Sequence, residues 1–226
     1  MKRTKAKTRS IKAKILISMV LTLAISLITV GGISCVLNYR GTQSTLEASM
    51  EELAVVAADR VSYQLQVYQL IAGDTGNISR LSDPEISLEE KKALLQQKVE
   101  DNDFQRYNLL DTQGHSLIDG GNYSDRAYFK AAMQGNTYVS EPLISAVTGE
   151  MTIIVAAPVW QDGVEGGQIA GVVYFVPHET FLNDIVSTLR VSEGGSAYML
   201  DATGNTIAHR DLETVRNQEN TIENAK

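Results

Sequence analysis

The sequence is short of the residues that staple small scaffolds or hold metals. It has one cysteine, Cys35, in 226 residues. A single thiol closes no disulfide within the chain and makes no cysteine-based zinc site, so the folded part must rest on an ordinary apolar core. The three histidines, His115, His178 and His209, are scattered without partners at metal-ligand spacing, and read as solvated turn or loop residues. There is no glycine loop to cradle phosphate and no nucleophile elbow. Paired carboxylates such as Glu89-Glu90 fall on a helix surface, where they suggest no acid–base chemistry. With no catalytic constellation, an enzyme is the least favoured class, and nothing calls for a cofactor.

Acid is missing where base is concentrated. Residues 1–14 carry seven basic residues (Lys2, Arg3, Lys5, Lys7, Arg9, Lys12 and Lys14) and no Asp or Glu. The remainder holds thirteen basic against twenty-seven acidic residues, a net charge of −14. Charge is then absent altogether from residues 15–37, ILISMVLTLAISLITVGGISCVL. As a helix this run spans roughly 35 Å, enough to cross a hydrocarbon core of about 30 Å. It exceeds the apolar region of a cleaved signal peptide and lacks a small-residue cleavage site. A lipid-modified Cys35 would need a large aliphatic residue three positions earlier, where Gly32 stands. The reading is a membrane span with residues 1–14 in the cytoplasm by the positive-inside rule, and everything after residue 37 outside. Beside a membrane span, and with an acidic exterior, the basic tail is not a nucleic-acid patch.

From Thr42 to Ala72 there is neither proline nor glycine. Apolar residues fall at Leu46, Met50, Leu53, Val56, Ala57, Val61, Leu65, Tyr68 and Ile71, spaced mostly by three and four, as on one helix face. This predicts a stalk helix that Gly73 and Gly76 end, and that either packs on its own domain or pairs with a second copy. Ser87-Leu88-Glu89-Glu90 fits a capping box for a second helix over 87–101.

The pattern then turns to strands. Arg106 to Leu110 and His115 to Ile118 flank the turn Asp111-Thr112-Gln113-Gly114 as a hairpin. Arg126 to Met133 reads as a short helix stopped at Gly135. Thr137 to Ser140, Met151 to Trp160 and Gln168 to Val176 read as strands, with turns at 148–150 and 162–167. Pro177 ends this sheet, and a helix follows over 178–191. Strands joined by tight turns predict an antiparallel sheet in an α+β fold. At a constant offset of ninety residues, Leu109 to Leu117 matches Met199 to Ile207, with Asp, Gly and apolar flanks aligned. This predicts two similar modules in tandem, the second barely begun when the sequence ends in a polar tail.

Between these strands lies Asn122 to Trp160, where Arg126 precedes Tyr128 and Phe129. Arginine offers a planar fork of donors that matches a carboxylate two-pronged, and aromatic rings give such a site walls. The rival reading pairs Arg126 with Asp125 or Glu141 at the surface, for about 0–1 kcal/mol. Adjacent helical residues face different directions, so of Tyr128 and Phe129 one belongs to the core and the other, Tyr128 by preference, to the pocket. Tyr138 and Ser140 share a strand face and complete the candidate lining with Tyr123.

Taken in order, several motifs carry a resemblance: a basic tail, a membrane helix and a stalk; Tyr123-Ser124-Asp125-Arg126-x-Tyr128-Phe129; Tyr138-Val139-Ser140-Glu141-Pro142; Thr148-Gly149; Ala156-Ala157-Pro158-Val159; Gly171-Val172-Val173; and Gly195-x-Ala197-Tyr198-Met199-Leu200-Asp201-x-x-Gly204. The chain closely resembles the double Cache sensor region of bacterial methyl-accepting chemotaxis proteins. The resemblance implies PAS-like antiparallel-sheet modules on a long helix, with small-molecule binding in the membrane-distal one. The division expected is 1–14 cytoplasmic tail, 15–37 transmembrane helix, 38–103 stalk and second helix, 104–191 distal module and 192–226 the start of a truncated proximal module. A homodimer through the stalk helix is expected, and the resemblance further implies, beyond this sequence, a second membrane helix, a HAMP linker and a signalling coiled coil. The same sensor also serves histidine kinases and nucleotide cyclases, and a membrane-tethered binding protein without output is the rival outside receptors. Family members that bind amino acids hold the carboxylate with an arginine and paired aromatics, which Arg126, Tyr128 and Phe129 match. Their aromatic after the Glu-Pro turn and their aspartate after the Gly-Val-Val strand are Leu143 and Val176 here. The expected ligand is therefore a carboxylate or another small anionic or uncharged metabolite, rather than an α-amino acid.

Overall fold

The computed structural model describes residues 11–144, 151–178, 180–189, 197–217 and 219–224. The chain divides into two compact units, residues 1–52 and 53–226. The first is the opening part of helix α1 (Ile11–Gly76), and its apolar side chains from Ile15 to Leu37 are exposed. Among the described residues α1 is the one helix long and apolar enough to cross a membrane. Its hydroxyls bond within the helix: Thr22 Oγ1 donates to Ser18 O at 3.0 Å and Thr29 Oγ1 to Ile25 O at 2.8 Å. Hydrocarbon demands such internal satisfaction, because it offers no water to bond. Gly31, Gly32 and Gly41 do not interrupt the helix.

In the second unit α1 turns a stripe toward a sheet. Ala57, Tyr68 and Ala72 are buried, with Val61, Leu65 and Ile71 half-buried beside them, while Val56, Tyr63 and Leu70 stay exposed. The single apolar face expected from spacing is thus two faces, one covered and one bare. At Gly76, the last residue of the helix, the backbone lies so close to the sheet that a Cβ would collide with Pro158 O. A short turn, α2 (Ser79–Ser82), leads to α3 (Leu88–Asp101). Ser87 caps α3, its Oγ accepting from Glu90 N at 3.3 Å. The Glu90 carboxylate turns to Arg80, 3.8 Å away, rather than back to the cap.

Strands β1 (Phe104–Leu110), β2 (Tyr138–Val139), β5 (Val155–Trp160) and β6 (Ile169–Pro177) form an antiparallel sheet in the order β1-β6-β5-β2. Between β1 and β2 lies α4 (Ala127–Ala132), and between β2 and β5 a small ladder of β3 (Leu143–Ile144) and β4 (Met151–Thr152). Alternation divides the sheet's residues between two cores. Leu109, Val155, Ala157, Val173 and Phe175 pack with α1 and α3, where Phe175 stacks on Phe104 at 4.8 Å between ring centroids. Leu110, Ile154, Ala156, Val172, Tyr174 and Val176 face α4 instead.

Two expectations about strands need correction. Residues 115–118 form no second hairpin strand; Ser116 bridges once to Leu110, because its hydroxyl and the backbone that follows are taken by a tight local turn. The single strand expected from Met151 to Trp160 is broken at Ile153 and Ile154, where the chain passes from β4 to β5. The expected turn at 148–150 lies outside the described residues.

After β6 comes α5 (Phe181–Ser187), shorter than the helix expected, whose outer residues 190–191 also lie outside the description. Then β7 (Tyr198–Leu200) and β8 (Thr206–His209) pair as an antiparallel hairpin, followed by α6 (Leu212–Arg216) and α7 (Thr221–Asn224). Asn183 of α5 accepts from His209 N at 3.0 Å, tying this hairpin to the preceding helix.

Candidate functional site

The loop leading to Arg126 is built from the turn upward. Asp111 Oδ1 accepts from Gln113 N and His115 N, and Gly114, at φ +84°, closes the turn. A Cβ on Gly114 would meet Ser124 N at 2.6 Å, so the returning chain passes at backbone distance. Tyr123 N then donates to Gly114 O at 2.8 Å, and Arg126 N to Tyr123 O at 3.1 Å. Arg126 becomes the extended residue that starts α4.

The Arg126 side chain is 44% exposed, with Nε 3.6 Å from Asp125 Oδ1. Tyr128 and Phe129, expected to part between pocket and core, are both buried in the same cluster. The helix is only six residues long and lies down on the sheet, so side chains 100° apart on its circumference both reach apolar neighbours. Tyr138 is half-buried against the same cluster. Ser140 is buried, but its Oγ accepts from Ile154 N at 2.9 Å while its own N donates to Ile154 O, so its hydroxyl serves the sheet. Leu143 and Val176 both pack at this cluster. The positions that depart from the amino-acid pattern therefore lie with those that follow it.

The centre of the cluster is a group that sequence reasoning missed. Tyr174 lies across the sheet from Asn108 on one side and Ala156 on the other. Its ring meets Tyr128 edge-on at 5.4 Å and Tyr123 at 6.1 Å. Asn108, buried within β1, donates through Nδ2 to Tyr174 OH and to Asp119 Oδ2, both at 2.9 Å. Ser116 Oγ donates to Asn108 Oδ1 at 2.6 Å. Tyr123 OH donates to Asp119 Oδ2 at 2.8 Å, and Gly121 N to Asp119 Oδ1. A buried asparagine inside an apolar strand was the available signal, since such an amide must find partners.

This network fixes protonation. Desolvation pushes the Asp119 carboxyl up, but hydrogen bonds from Gly121 N, Tyr123, Ser116 and Asn108 together outweigh it and hold it below the ordinary carboxylate value. Burial, then the Asp119 carboxylate, raise the Tyr123 phenol; burial, then Tyr174, raise Tyr128; burial also raises Tyr174. At neutral pH the cluster holds an ionised carboxylate and three neutral phenols, with the Arg126 side chain exposed where α4 begins. Arg106, opposite Val176 in the register, is half-buried on the same sheet face.

The histidines lie apart from this cluster. His115 Nδ1 is 3.5 Å from Asp111 Oδ2, His178 Nε2 3.6 Å from Asp103 Oδ1, and His209 Nδ1 accepts from Asp211 N at 2.9 Å. No group of three or more metal-ligating side chains occurs among the described residues.

Residues 38–225 match the Cache domain family (dCache_1). The chain belongs to the Cache family. Several solved structures resemble its fold. The ligand-binding domain of the Campylobacter jejuni chemoreceptor Tlp3, in complex with 4-methylisoleucine, aligns at a TM-score of 0.62 and 16% identity, over 81% of this chain and 77% of that one. The ligand-binding domain of the Pseudomonas fluorescens chemoreceptor CtaA, with L-alanine, aligns at 0.59 and 24% identity, over 79% and 77%. That of the Pseudomonas aeruginosa amino acid chemoreceptor PctC, with GABA, aligns at 0.58 and 21% identity, over 77% and 79%. No curated protein sequence matches the chain. A long apolar helix followed by an antiparallel-sheet Cache domain is thus the architecture of this α+β protein.

Proposed function

We propose that this Cache protein is the extracytoplasmic small-molecule-sensing part of a transmembrane chemotaxis receptor. In this reading residues 1–14 lie in the cytoplasm, 15–37 cross the membrane and the rest is outside. Residues 104–191 form the membrane-distal module and 192–226 begin a proximal one. The similarity to ligand-binding domains of chemoreceptors supports the role, and the charge-free run inside α1 with its basic flank supports the orientation.

The observation that carries the site is the placement of Arg126. Its partner Asp125 is 77% exposed, and such a pair contributes only about 0–1 kcal/mol, so the arginine does little for the fold. It stands where the loop enters α4, three residues after Tyr123 and two before Tyr128, whose rings are buried in one cluster with Tyr174. A small carboxylate would take its fork, with Tyr123, Tyr128, Phe129 and Tyr138 as walls and Ser140 holding the strand that carries Tyr138. A semi-buried bond of this kind contributes about 1.5–3 kcal/mol. Signalling then requires different affinity for two states of the protein. The exposed Val56, Tyr63 and Leu70, spaced by seven on α1, are the face through which two copies would pair.

The test is a thermal-shift screen of the full chain in detergent against small mono- and dicarboxylates and neutral analogues. A stabilising carboxylate whose effect vanishes in Arg126→Ala supports the reading. Stabilisation only by ligands that ignore that substitution rejects the site.

A further inference from the structure

Building on the carboxylate reading of Arg126, we propose that the ligand is a dicarboxylate and that Arg106 recognises its second carboxylate. Arg126 stands at the start of α4, which packs on one face of the sheet. Arg106 comes from β1, a separate element, and reaches the same face.

The strand register decides the face. Arg106 lies opposite Val176, and Asn108 opposite Tyr174. Paired residues of antiparallel strands, and alternate residues of one strand, project to the same side. Val176 and Tyr174 pack in the cluster under α4, and Asn108 Nδ2 donates to Tyr174 OH at 2.9 Å. Arg106 therefore projects from that side, where it is half-buried. Burial raises the Tyr174 phenol and the Arg106 charge opposes it; burial raises the Tyr128 phenol and the Arg126 charge opposes it. The two rings meet edge-on at 5.4 Å, so each cation acts on one member of a touching pair.

The other groups on this face favour a second anion over an ammonium. Asp119 is ionised, but its oxygens already accept from Gly121 N, Asn108 Nδ2 and Tyr123 OH. Asp125, beside Arg126, is 77% exposed. Leu143 and Val176 offer no acceptor at all. Tyr128 is buried, yet its hydroxyl makes no hydrogen bond among the described residues, and its raised phenol keeps a proton to donate. A guanidinium gives a carboxylate two parallel hydrogen bonds. Two such forks and a phenol hydroxyl are all donors. An amino acid would set its ammonium against apolar side chains, at a desolvation cost, whereas a dicarboxylate offers each guanidinium an anion.

Isothermal titration of the full chain in detergent tests the proposal with succinate, glutarate, butyrate as the monocarboxylate, and succinamate, in which a neutral amide replaces one carboxylate. Succinate or glutarate is expected to bind at least about tenfold more tightly than butyrate and succinamate. Arg106→Gln should bring that ratio down to about one, and Arg106→Lys, which keeps the charge without the fork, should retain part of it. The wild-type ratio needs no variant, so the proposal can fail even where Arg106→Gln does not fold. Equal affinity for the dicarboxylates and the two monoanions overturns it, and so does a preference that survives Arg106→Gln. Failure of the Arg126 reading looks different: Arg126→Ala then leaves carboxylate affinity as it was, and the ratio alone decides on Arg106. Binding by none of the four overturns both.

Discussion

Two turns ninety residues apart are built alike and plugged into different surroundings. In each an aspartate accepts from the backbone two and four residues on, Asp111 from Gln113 N and His115 N, Asp201 from Thr203 N and Asn205 N. In each the glycine takes positive φ, +84° at Gly114 and +90° at Gly204. In each the residue after the glycine bridges the returning chain, His115 to Asn122 and Asn205 to Asn220. Beyond that the regions part. The first turn leads into the Asn108–Ser116–Asp119 network and the ring cluster under α4. The second leads to a two-stranded hairpin, where Thr206 Oγ1 donates to Glu219 O at 2.9 Å. The same local chemistry makes the same turn twice, and what the returning chain packs against differs.

The glycines break this comparison most sharply. Alanine at Gly114 would keep the positive φ and drive a Cβ into Ser124 backbone, whereas at Gly204 it would meet the movable end of Ile222 at 2.9 Å. Gly114→Ala should cost roughly 3–5 kcal/mol, and Gly204→Ala roughly 1–2 kcal/mol. Urea denaturation of the full chain in detergent reads both; equal losses would mean that the two turns are equally constrained. Next come the tyrosines. Tyr174→Phe takes the acceptor from Asn108 Nδ2 inside the cluster and should cost about 1–3 kcal/mol. Tyr198→Phe, on the second hairpin at 50% exposure, should stay within about 0.5 kcal/mol of wild type. A Tyr174→Phe protein as stable as wild type would show that the network is dispensable.

Most of this architecture was legible in the residues. The charge-free run, the stalk periodicity, the Ser87 cap and both Asp-x-x-Gly turns are local signals, and each acts locally in the structure. The bare face of α1 was not legible, because periodicity identifies an apolar stripe without saying which of its residues meet the sheet. Nor was the interior of the ring cluster. Tyr174 and Val172 read alike as members of a strong strand, and only the pairing of β1 with β6 brings Tyr174 opposite Asn108. Ser140 drew notice as a polar residue on the right face, yet its hydroxyl is consumed by Ile154 N. Long-range partners decide such roles, and no short window contains them.

Acid separates the two regions more gently. The Asp201 carboxyl is depressed to about 2, first by Thr203 Oγ1 and then by the backbone of Asn205. A depressed value means stabilisation that is present above the unfolded value near 3.8 and lost as pH falls through the folded one. The second turn should therefore loosen between about pH 4 and pH 2. Asp119 is also depressed, so its contribution likewise disappears below the ordinary carboxylate value. Asp201→Asn and Asp119→Asn should each flatten the acid limb of the pH–stability curve in that range. Identical limbs in wild type and both variants would contradict the assigned hydrogen bonds. Arg126→Ala should also have only a small effect on stability, at most about 1 kcal/mol, because its ion pair is exposed.

That small effect gives the most direct test of the central claim, that the first region carries the ligand site. The measurement is the affinity of a stabilising carboxylate for the full chain with Arg126 and with Arg126→Ala, alongside urea stability of both. At least about tenfold weaker binding is predicted, as for a loss of about 1.4 kcal/mol or more, with stability almost unchanged. Equal affinity in the two proteins would contradict the account.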